Sequence, residues 1–169
     1  MIRFILVCIT VIGYLVLMIP ALLIEWIIGK FAPMKKDISS LRMVQAIFKF
    51  ILWLTGARVT VIGEENVPKD QAVLYVANHR SYFDILLTYS RCPGRTGYVA
   101  KKEMERYPLL SNWMRNLYCL FLDREDIKQG LKTILQAADY VKSGISVCIF
   151  PEGTRNKNSD ELDMLPFHD

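Results

Sequence analysis

The sequence predicts an α/β domain with a mixed or largely parallel sheet and flanking helices, preceded by an N-terminal membrane helix. Three patterns predict it. Residues 4–28 are apolar with few interruptions. Beyond Gly56, short runs of branched and aromatic residues at 59–62, 72–77, 97–100, 119–122 and 145–150 have the character of buried strands. Between these runs lie helical candidates at 82–89, 108–116 and 126–142, and an α/β alternation of this kind brings the loops at strand ends together into a site. A chain of 169 residues has room for one domain with a real core plus an attachment, divided here into an anchor at 1–30, a linker and amphipathic helix at 31–55, and the domain proper at 56–169.

The first element is set by length and hydropathy. Its interruptions are only Thr10, Gly13, Tyr14, Pro20, Glu25 and Trp26, and the run exceeds the roughly 20 residues that cross a hydrocarbon core. Pro20 is a kink position, and Glu25 and Trp26 fall near the far end, at interfacial depth. A cleaved signal fits less well, because its apolar region is about 7–15 residues and ends in a small-residue cleavage site. This concentration of apolar residues explains a hydrophobic fraction of 52% and a mean hydropathy of +0.22. Lys30, Lys35, Lys36 and Arg42 follow the run and Arg3 alone precedes it, which places the rest of the chain on the cytosolic face of the membrane. Residues 32–37 read as a short linker. In 38–55, Leu41, Val44, Ile47, Phe48, Ile51 and Leu52 recur at helical spacing, and that face suits either lipid or the domain. In 126–142, Ile127, Leu131, Ile134, Leu135, Ala138 and Val141 form the apolar face expected to pack on the sheet, with Gly144 closing the helix. The net charge of +4 suits an anionic surface or phosphorylated ligands without selecting either. Cys8, Cys92, Cys119 and Cys148 show neither metal-ligand nor disulfide spacing.

Chemistry concentrates where strands run into charge. The run 72–77 leads into Asn78-His79-Arg80-Ser81-Tyr82-Phe83-Asp84, and His79 is one of two histidines, the other being His168 near the C-terminus. Five residues apart on a continuous helix, His79 and Asp84 would be turned about 140° from each other. With His79 in the turn before the helix, the carboxylate can reach back to the imidazole, an arrangement that suits removal of a proton from a hydroxyl nucleophile. Taken alone, Asn-His is also an ordinary turn, and Asp84 a charge favoured by a helix N-terminus. A second junction, Ile149-Phe150-Pro151-Glu152-Gly153-Thr154-Arg155, offers an anion-binding turn. Arg155 and Thr154 can hold phosphate oxygens, and Glu152 can accept from a hydroxyl or hold Arg155. Lys101 and Arg124 end two further strands and are candidate phosphate contacts, whereas Lys102, Arg106 and Arg115 read as solvated charges and Asp123 as a helix cap.

In that order and spacing, Asn78-His79-x-x-x-x-Asp84, Lys101-Lys102-Glu103, Asp123-Arg124 and Phe150-Pro151-Glu152-Gly153-Thr154-Arg155 closely resemble the 1-acyl-glycerol-3-phosphate acyltransferase (lysophosphatidic acid acyltransferase) family of the glycerolipid acyltransferase superfamily, over about residues 56–168. The resemblance implies direct transfer of a fatty acyl group from acyl-CoA or acyl-carrier protein to the free hydroxyl of a lysophosphatidate, giving phosphatidic acid. His79 would be the general base and Asp84 its orienter, with Lys101, Arg124, Glu152, Gly153, Thr154 and Arg155 around the acceptor. It implies no metal, no cofactor beyond the acyl donor and no covalent acyl-enzyme, and its partners are membrane lipid and the two substrates, not nucleic acid. Where relatives carry glycines this chain has Ser111 and Tyr118, which leaves acceptor preference open. Relatives also continue past the position of Asp169, so the chain is expected to be truncated, with an unpaired sheet edge near 145–150. The alternatives are the same chemistry on glycerol 3-phosphate or another lysophospholipid, and an inactive membrane-attached lipid-binding fragment. A serine hydrolase built on Ser81 lacks the glycine context of a nucleophile elbow.

Overall fold

The computed structural model describes residues 1–156 and 165; His168 and the rest of the C-terminal end lie outside the described residues. Three helices lead the chain: α1 (Ile2–Leu17), α2 (Ile19–Phe31) and α3 (Pro33–Thr55). Then β1 (Leu74–Val76), α4 (Phe83–Tyr89), β2 (Thr96–Lys101), α5 (Pro108–Asn116), β3 (Leu120–Leu122), α6 (Ile127–Lys142) and β4 (Ser146–Ile149) alternate, with 3-10 turns at Glu64–Asn66 and Lys102–Arg106. The sheet runs β1-β4-β2-β3 and every pairing is parallel, with Leu74 opposite Val147, Gly97 opposite Val147 and Val99 opposite Leu120. The α/β expectation is met, on the wholly parallel side.

Alternation along β4 sorts the core into two layers. Cys148 and Phe150 face a cluster made with Tyr98, Tyr89, Leu41, Val44, Trp113 and Leu117. Val147 and Ile149 face the other way, toward Leu120 and Ala137 of α6. Because α3 supplies Leu41 and Val44, it is a wall of the domain, and of the two surfaces its apolar face suited, that face takes the protein.

The N-terminal run is not one straight helix. It breaks at Met18, and α1 and α2 are bent by 48°, with Pro20 in the first turn of α2. At 16 and 13 residues neither crosses a hydrocarbon core alone; together they are long enough, as is the 23-residue α3 by length and composition. Ile2, Phe4, Ile9, Ile12, Leu17 and Trp26 project outward. Glu25 is turned into the protein: it is 3% exposed and accepts from Ser40 Oγ of α3 at 3.2 Å, since a carboxylate in this packing must find a donor.

Four further expectations are corrected. Residues 32–37 are not a linker, since Pro33 opens α3 and only Ala32 separates it from α2. Residues 59–62 form no strand: among the described residues they pair with nothing, and Val59, Val61 and Ile62 are exposed. Most of the apolar stripe of α6 faces outward, with Ile127, Leu131, Ile134 and Leu135 all exposed, while Val141 packs on the sheet as expected. The helix instead buries Thr133 and Ala137 and sets Gly130 against Leu122, since small side chains let it approach the sheet closely. Finally, β4 lies inside the sheet between β1 and β2, so the edges among the described strands are β1 and β3.

Candidate active site

The parallel sheet sends the ends of its strands to one side, and the loops there hold the site. His79 follows β1, Lys101 ends β2, Arg124 follows β3, and Gly153, Thr154 and Arg155 follow β4. All six line one cavity of about 470 Å³. From this polar mouth the cavity runs into an apolar body walled by Tyr14 of α1, Val44 and Ile51 of α3, Trp113 of α5, Tyr98 and Leu117.

At the mouth, His79 Nδ1 lies 2.9 Å from Asp84 Oδ2. The local fold arranges this: Asp84 sits in the first turn of α4, and the same oxygen accepts from the Arg80 and Ser81 amides at 2.7 and 2.8 Å. Burial works to raise the pKa of Asp84, but the Ser81 amide, the His79 ring and the Arg80 amide outweigh it and hold the carboxyl below its ordinary range. A carboxylate there favours the neutral tautomer that carries its proton on Nδ1, in which the lone pair is on Nε2. The Phe150 ring stacks on the imidazole, with centroids 4.4 Å apart and planes at 25°. The Ser81 hydroxyl donates to Asp84 Oδ1 at 3.3 Å and accepts from the Phe83 amide at 3.0 Å, so it is committed within the turn.

Arg155 presents its guanidinium to the mouth and packs on the exposed Tyr82 ring, 4.0 Å from its centroid. Lys102 lies apart, paired with Asp123 at 2.6 Å, and Arg115 is paired with Glu105. The cap of α6 is Asp126, which accepts from the Gln129 amide at 3.0 Å, not Asp123. Cys119 is on the cavity wall, where burial pushes its thiol up to about 11, away from the thiolate form.

Glu152 is placed apart from the other predicted site residues. Its side chain is 1% exposed and does not line the cavity; one oxygen accepts from the His79 amide at 3.1 Å and the other from the Leu165 amide at 3.2 Å. Sequence reasoning missed the roles of Phe150 and Tyr82. The signal for Phe150 was its parity with Cys148 in a buried strand; for Tyr82 it was an aromatic residue set between the two members of the His79–Asp84 pair.

A family model described as Acyltransferase matches residues 58–169. Among curated relatives, a 1-acyl-sn-glycerol-3-phosphate acyltransferase of Borreliella burgdorferi is 33% identical over 121 residues, covering 70% of this chain and 47% of that protein. The alpha form of that enzyme in Homo sapiens is 30% identical over 135 residues, covering 78% of this chain and 46% of that one. The chain thus spans about half the length of the curated relatives it matches. The crystal structure of the lysophosphatidic acid acyltransferase PlsC from Thermotoga maritima superposes with a TM-score of 0.77 at 25% identity, covering 92% of this chain and 61% of that one.

Proposed function

The chain belongs to the Acyltransferase family, and from that premise we propose that it transfers a fatty acyl group from acyl-CoA or acyl-carrier protein to the free hydroxyl of a 1-acyl-glycerol 3-phosphate, giving phosphatidic acid. One observation carries the reading: the His79–Asp84 pair stands where a polar mouth with Lys101, Arg124 and Arg155 meets an apolar cavity. Such a junction suits a molecule that is phosphate at one end and hydrocarbon at the other. The relatives' names point to the same acceptor.

In this mechanism Nε2 of His79 takes the proton of the acceptor hydroxyl as its oxygen attacks the thioester carbonyl. The tetrahedral adduct collapses with cleavage of the carbon–sulfur bond, and the imidazolium returns the proton to the departing thiolate. Asp84 fixes the tautomer and stabilises the imidazolium. Lys101, Arg124 and Arg155 hold the phosphate, with Thr154 and the Gly153 backbone as further donors. The reaction so written needs no metal and no cofactor besides the donor. The bent α1–α2 pair, with its outward apolar side chains, embeds in the membrane and keeps the mouth within reach of lipid, on the cytosolic face that the lysines after residue 30 indicate.

Incubating the detergent-solubilised chain with acyl donor and lysophosphatidate tests this. Product is expected from the native chain, with a loss of roughly a thousandfold in His79→Ala; undiminished turnover in that variant would sink the mechanism. Faster acylation of glycerol 3-phosphate than of lysophosphatidate would move the acceptor assignment.

A further inference from the structure

The first and last of the ordered motifs meet at the backbone of His79. Its N–H donates to Glu152 Oε1 at 3.1 Å, and its carbonyl accepts from the Asn156 amide at 2.6 Å. Phe150 covers one face of its ring, and Asp84 takes Nδ1. Both main-chain groups of this residue are therefore fixed by the turn that follows β4, in a loop with no helix or strand of its own to hold it. The second oxygen of Glu152 accepts from the Leu165 amide at 3.2 Å, so one buried carboxylate joins two distant backbone segments.

We infer that Glu152 is a positioning residue for His79: its carboxylate sets the place of the imidazole through the main chain and takes no part in holding substrate. This rests on the acyl-transfer reading, in which Nε2 of His79 is the base. Both of its oxygens face N–H donors, a pairing that suits a side chain with two acceptor oxygens. Neighbouring residues show the division of labour. Gly153, Thr154 and Arg155 are on the cavity wall and Glu152 is behind it. A displacement of about 1 Å at a reacting group costs on the order of a hundredfold in rate, which is the scale on which such a residue acts.

The test is Glu152→Gln in the full chain, with kcat and KM measured for each substrate. Gln keeps the size but turns an NH2 group toward one of the two amides, donor against donor. The expected result is a kcat lower by roughly a hundredfold, with both KM values within about twofold, and a shifted imidazole NMR signal for His79. Glu152→Asp, which keeps the charge but shortens the reach, should fall between the two. A raised KM for the acceptor with kcat held would make Glu152 a substrate ligand and overturn the proposal, as would unchanged kinetics. Should Glu152→Gln fail to fold, hydrogen exchange of the native chain decides: the His79 amide is expected to be protected by at least about a hundredfold, and an unprotected amide overturns the proposal. If the native chain acylates no acceptor, the acyl-transfer reading falls, while the exchange and NMR results still judge the positioning of His79.

Discussion

Asp84 keeps its charge because two backbone amides and an imidazole surround one of its oxygens. Its folded pKa is depressed, so the stability it contributes is present above the ordinary aspartate value of about 3.9 and is lost as pH falls through the lower folded value. Asp84→Asn should therefore flatten the acid limb of the stability profile, read as melting temperature from about pH 5 downward to about pH 2. An equally steep limb in the variant would refute the assignment. The His79–Asp84 pair was legible because spacing alone limits which conformations let the two side chains meet. Glu152 was not legible, because a sequence records that a carboxylate is present but not where it is aimed. Gly153 at φ 63° reverses the chain between Glu152 and Arg155, sending one inward to the His79 backbone and the other out to the mouth.

The elements join at close tolerances, and at Gly97 β2 lies directly against the backbone that leads into β3. A Cβ on Gly97 would lie 2.1 Å from the Tyr118 carbonyl oxygen, which belongs to backbone and cannot swing aside. Gly97→Ala is accordingly expected to cost about 3 kcal/mol, seen as a lowered denaturation midpoint; a variant as stable as the native chain would show that β3 can shift. Tyr118 itself stands at φ 60°, a conformation that costs a non-glycine residue about 1 kcal/mol, and its hydroxyl donates to Asp37 at 2.6 Å, tying the start of β3 to α3. Most elements were readable from period and length: the helix expected at 108–116 spans Pro108–Asn116, and Gly144 at φ 82° ends α6 as anticipated. The face of α6 was misread because hydrophobicity was weighed without size. Gly130, Thr133 and Ala137 make the better contact with a sheet, though Leu131 and Ile134 are more apolar. Residues 59–62 have strand character, but a strand needs a ladder partner, which a local pattern cannot supply.

For the molecule as a whole, the helices that carry outward apolar side chains and those that wall the cavity overlap. Tyr14 of α1 and Val44 of α3 line the cavity, while Ile9 and Ile12 of α1 point outward. The native chain should float with phosphatidylcholine vesicles and resist elution by about 1 M salt, at which surface charge attraction is screened within about 3 Å. Replacing both Ile9 and Ile12 with Glu should release it; unchanged flotation of that variant would dissociate α1 from the bilayer. The parallel order β1-β4-β2-β3 carries a consequence for how such a molecule is made. β1 and β2, the first two described strands to be synthesised, do not touch each other, because β4 lies between them. A ribosome delivers the apolar helices α1–α3 first and β4 tens of residues later. The apolar helices are thus complete before His79 has the turn that fixes it, and that turn comes only with β4.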